Sequence, residues 1–98
     1  MSVQMVRFST DAERVHEVED AIAALFTAVS AAAPTGMTYT AGRVGDGPDF
    51  VFLLQLAEGV DNPLLGIPDA LDFRSRVAGW AVEPVAPQHF TVLGRYEG

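Results

Sequence analysis

The chain has 98 residues, enough for one domain and too few for separate catalytic and binding modules. Thirteen acids against six bases give a formal charge of -7, which sets its field against phosphate backbones and anionic lipids, so neither nucleic acid nor a membrane is an expected partner. It contains no cysteine and no lysine, which excludes disulfides, thiolate nucleophiles, iron-sulfur clusters, the usual structural zinc sites and lysine Schiff bases.

Hydrophobic residues make up 49% of the sequence, which predicts a folded chain with a thin core rather than a disordered one. The start has no basic leader and no small-residue cleavage site. The longest weakly polar run, Ala21 to Ala33, is broken by Thr27 and Ser30 and falls short of the roughly 20 residues a bilayer span needs. A cytoplasmic protein is the expectation.

The first element, Val3 to Phe8, has apolar residues on both faces of an extended strand. Thr10-Asp11-Ala12-Glu13 then reads as a capping box, with the Thr10 hydroxyl taking the Glu13 amide and a helix starting at Asp11. Val15, Val18, Ile22, Leu25, Phe26 and Val29 recur at helical spacing, and Pro34-Thr35-Gly36 stops the helix. Met37 to Val44 suits a strand with one wetter face. The turn formers Gly45-Asp46-Gly47-Pro48-Asp49 join it to Phe50 to Leu56 as an antiparallel hairpin. That second hairpin strand is apolar on both faces and belongs mid-sheet.

Pro63 to Ile67 suits a single helical turn, and Pro68 opens a second helix that runs to about Trp80. Two prolines make Val82 to Pro87 an extended linker, and Gln88 to Tyr96 alternates as a last strand. The order strand, helix, strand, strand, helix, strand predicts an α+β, ferredoxin-like βαββαβ domain over residues 1–98, with a four-stranded antiparallel sheet and two helices on one face. Two helices cover only one face of a sheet whose strands are apolar on both, so a partner sheet is expected to cover the other in a two-fold homodimer.

The element order, the two-sided strand Phe50 to Leu56, the segment Asn62-Pro63-Leu64-Leu65 before a helix with Phe73 and Trp80, and the closing Phe90-Thr91-Val92-Leu93-Gly94-Arg95-Tyr96 resemble the dimeric α+β barrel superfamily. More narrowly they are similar to its antibiotic-biosynthesis-monooxygenase-like proteins. The resemblance implies a pocket between sheet and helices for an aromatic or polyketide-like molecule, and oxygenation without a cofactor, in which the deprotonated substrate itself supplies the electron to oxygen. It implies catalytic roles for His89 and Asn62, ligand contacts from Tyr39, Trp80 and Phe52, and an arginine from among Arg7, Arg43 and Arg95.

Each of these residues also has a plain structural use. Asn62 suits a turn or cap before Pro63, Trp80 suits the core side of a helix, and His89 suits a hydrogen bond at a strand start. In the similar proteins a tryptophan closely follows the asparagine, whereas here Gly66 stands four residues on. A non-catalytic binding or dimerisation module is therefore the alternative expectation. No metal site is expected: Glu13, His16, Glu17 and Asp20 form a solvated helix face, and there is no acidic calcium loop.

Overall fold

A computed structural model describes residues 2–98. Strand β1 (Ser2–Ser9) leads through a 3-10 turn (Ala12–Arg14) into helix α1 (Val15–Ala32). Strands β2 (Met37–Arg43) and β3 (Asp49–Leu56) form the expected hairpin. A 3-10 turn (Pro63–Gly66), helix α2 (Pro68–Trp80) and a short strand β4 (Gln88–His89) complete the chain. The sheet runs β2-β3-β1-β4 with every neighbouring pair antiparallel, which is the ferredoxin-like arrangement, and β3 lies inside it between β2 and β1.

Alternation along β3 decides the layers. Phe50, Phe52, Leu54 and Leu56 are buried, while Val51, Leu53 and Gln55 between them are only half-buried. The first set faces the helices: Phe50 and Phe52 share one core with Phe8 of β1, with Val18 and Leu25 of α1, and with Phe73 and Val77 of α2. Phe8 lies opposite Phe50 in the β1–β3 ladder, and the two rings stack at 5.6 Å. The second set lies on the opposite face, in register with Val3, Met5 and Arg7 of β1 and with Thr38, Thr40 and Gly42 of β2. No helix of the described residues covers that face.

Two expectations need correction. The capping box does not form: Asp11 precedes the 3-10 turn without a side-chain cap, and the buried Thr10 hydroxyl instead donates to the Trp80 carbonyl at 2.9 Å. A carbonyl left unpaired at the end of α2 is a stronger claimant than a solvated amide at the start of α1. Together with the Val82 amide on the Ser9 carbonyl, this bond ties the end of α2 to the end of β1.

The last strand is also far shorter than Gln88 to Tyr96. Its ladder with β1 pairs only Gln4 with His89 and Met5 with Gln88, extended by the Phe90 amide on the Val3 carbonyl. Antiparallel pairing leaves only Ser2 of the described β1 beyond Val3, so almost no strand edge remains for the residues after Phe90. Arg95 donates to Gln55 Oε1, which lays the tail against the open face of the sheet, and Leu93 and Tyr96 project almost fully into solvent.

Candidate functional site

A cavity of about 300 Å³ opens between the helix-facing side of the sheet and α2. Its walls come from β1 (Val6, Phe8), β3 (Phe52, Leu54), the 3-10 turn (Leu64, Leu65) and one face of α2 (Ala70, Phe73, Val77). The α2 residues follow helical spacing, so the same amphipathic pattern that packs the helix also builds the wall. Phe52 and Phe73 meet at a tilt with centroids 5.6 Å apart. The volume is at the lower end for small-molecule sites, and the mostly apolar lining with a few polar groups is typical of them. A second cleft of about 460 Å³, under residues 82–88, is bordered by Arg7, Ser9, Glu83 and Gln88; Phe8 is its one aromatic residue among those described.

Of the residues singled out by sequence, Tyr39, Phe52 and Asn62 line the cavity together. Tyr39 projects from the edge strand β2, stacked on Phe26 of α1 at 5.2 Å with rings nearly parallel. Burial pushes its phenol up to about 12, so near neutral pH the group keeps its proton and serves as a hydrogen-bonding hydroxyl rather than a base. Asn62 caps the 3-10 turn, its Oδ1 accepting the Leu64 amide at 3.0 Å. That bond fixes the side chain and commits the oxygen, and the Nδ2 donors have no partner among the described residues. Asn62 thus combines its plain use as a cap with a position on the cavity wall.

Trp80 and His89 are not in the lining. Trp80 is buried beyond Phe73, edge-on to it at 5.8 Å, with Arg76 over its outer face at 4.6 Å. It closes the end of the core. His89 is exposed; its register opposite Gln4 puts it on the helix-facing side of the sheet, beside Gln4 and Pro87, which do line the cavity. His89 therefore stands at the rim. The arginine in the lining is Arg74 on α2 instead of Arg7, Arg43 or Arg95. Arg43 is held by Glu19 and by the carbonyls of Asp46 and Gly47 at the hairpin loop, and Arg95 is held by Gln55. Sequence reasoning also missed Gln4, a polar residue on an otherwise core-facing strand position. Helical spacing would have found Arg74, which lies one turn from Ala70, Leu71, Val77 and Ala78. No group of three or more metal-ligating side chains occurs among the described residues. Likewise, no helix there is long and apolar enough to cross a membrane.

Solved structures with this architecture cover nearly the whole chain. Rv0793 from Mycobacterium tuberculosis superposes with a TM-score of 0.73 at 19% identity, covering 98% of both chains. An antibiotic biosynthesis monooxygenase matches with a TM-score of 0.71 at 11% identity over 96% of this chain and 100% of its own. SnoaB from Streptomyces nogalater is a cofactor-independent oxygenase, solved as an asparagine-to-alanine variant. It matches with a TM-score of 0.66 at 20% identity over 96% of this chain and 95% of its own. The chain has the fold of these proteins. At these identities the likeness is one of fold, and no family model and no curated protein matches the sequence.

Proposed function

We propose that the protein is a homodimeric, cofactor-independent monooxygenase whose cavity binds an aromatic or polyketide-like phenol. The observation that carries this reading is the aromatic-walled cavity into which two hydrogen-bonding groups of different character open: the neutral Tyr39 phenol and the fixed Asn62 amide. The fold shared with SnoaB supports it. In this reading Phe52 and Phe73 hold the substrate ring, and Asn62 Nδ2 and the Tyr39 hydroxyl hold its oxygens. Trp80 acts through Phe73 rather than by touching the ligand. His89 at the rim takes the phenolic proton, a task suited to an imidazole near neutral pH.

The phenolate then gives an electron to dioxygen. A carbon–oxygen bond forms at the activated ring position, and loss of water from the hydroperoxide leaves a quinone. One phenol and one dioxygen give one quinone and one water, so no external reductant is required. The dimer forms through the helix-free face, where Val51 and Leu53 of β3 lie beside Met5, flanked by the exposed Phe90 and Val92 of the tail.

The test is oxygen uptake with a dihydroxynaphthalene. The wild type should consume one dioxygen per quinone formed, and Asn62→Ala should reduce the rate about a hundredfold, as loss of a fixed donor to a developing oxyanion does. Full activity in Asn62→Ala would remove Asn62 from the reaction. A binding module is favoured by one observation, that no histidine or carboxylate lines the cavity. Its signature would be saturable binding of the dihydroxynaphthalene with no oxygen consumed by the wild type.

A further inference from the structure

Arg74 forms no ion pair with a carboxylate among the described residues. Arg14 pairs with Asp11 and Glu17, Arg43 with Glu19, Arg76 lies over the Trp80 ring, and Arg95 bonds Gln55. Arg74 makes no hydrogen bond or ion pair with any described residue, in a chain with thirteen acids. A helical side chain pairs with neighbours three and four positions away. For Arg74 these are Ala70, Leu71, Val77 and Ala78, all apolar and all lining the cavity. Arg7 also has no partner among the described residues, but it borders the second cleft, which Glu83 borders too.

An exposed guanidinium is readily satisfied by water, so isolation alone identifies no ligand. Its position does. Leu65 and Leu71 line the cavity yet are 57% and 43% exposed, which marks its mouth, and Arg74 is exposed one turn along α2 from Leu71. Phe52 and Phe73 are buried and form the inner wall. A molecule whose rings lie against Phe52, Phe73 and Tyr39 therefore presents its outer end to Arg74. The planar fork of a guanidinium matches the two oxygens of a carboxylate, and its alkyl stem can lie along the apolar rim while the head stays at the mouth.

We infer that the cavity takes an aromatic carboxylate, rings inward and acid group outward, with Arg74 as the residue that selects for the acid. The inference rests on the proposed reading that this cavity is the ligand site. The experiment compares the affinities of 2-naphthoate and 2-naphthol for the full-length protein near pH 7.5, where the first is an anion. The wild type should bind 2-naphthoate at least about tenfold more tightly, as one charge-assisted hydrogen-bonded pair supplies. In Arg74→Gln the ratio should fall to near one, and Arg74→Lys should restore part of it. Equal affinities in the wild type, or a preference that persists in Arg74→Gln, would overturn the inference and leave the cavity standing as a ligand site. Failure of both probes to bind the wild type would overturn the cavity reading and this inference with it.

Discussion

Phe50→Ala should lower the free energy of unfolding by about 3–5 kcal/mol, the largest loss expected from any single truncation in this chain. Phe50 is 1% exposed, near the start of an inner strand and paired on both sides, with the Phe8 ring stacked against it from the neighbouring strand. Its removal forfeits the transfer energy of the ring and leaves a void that the flanking strands, pinned by their ladders, cannot close. A domain of this size has about 5–15 kcal/mol of total stability, so the variant should lose about a fifth of it or more and unfold at a clearly lower denaturant concentration. Urea denaturation followed by circular dichroism reads the change. Leu93→Ala is the contrasting control: Leu93 is 95% exposed, and a change above about 0.5 kcal/mol there would contradict its placement.

Leu53→Glu should convert the proposed dimer into a folded monomer. Leu53 alternates with the buried Phe52 and Leu54 and so points away from the helices, opposite Met5 on one side and Thr40 on the other. Two-fold symmetry brings each such side chain into the interface twice, so one substitution places two carboxylates in an apolar contact. Burial without a partner costs several kcal/mol per charge, which raises the dissociation constant at least about a thousandfold. Within a single protomer Leu53 is only half-buried, so its own fold should survive. Sedimentation velocity at micromolar concentration checks this, with the helical signal as the measure of folding. An unchanged dimer would show that this face is not the interface.

The parts of the fold that could be read from sequence are those set by neighbours along the chain. The hairpin follows from the Gly45 to Asp49 turn, the start of α2 from Pro68, and the central place of β3 from its two apolar faces. The Thr10 capping box was misread because a carbonyl seventy residues away, that of Trp80, claims the hydroxyl. The length of β4 was misread because alternation records that a segment can pair, while pairing needs an edge, and Gln88 joins β1 at Met5 and runs toward its start, with only a few residues of edge ahead of it. At the site, Asn62 was legible as a cap before proline. Its place on a cavity wall depends on how the 3-10 turn meets the sheet, which no local pattern encodes. Trp80 misleads for the opposite reason: a large aromatic at a core spacing suits a pocket wall and an end plug equally well, and only packing against Phe73 and Arg76 decides between them.

Binding of an aromatic molecule between the sheet and α2 is what every functional role proposed above depends on. Amide chemical shifts of the labelled protein, followed by NMR during titration with a dihydroxynaphthalene, test it most directly. Saturable shifts should concentrate at Tyr39, Phe52, Asn62, Phe73 and Arg74, with little change at Val51, Leu53 or Gln55 on the opposite face of the sheet. Shifts confined to that opposite face, or none at saturating ligand, would contradict it.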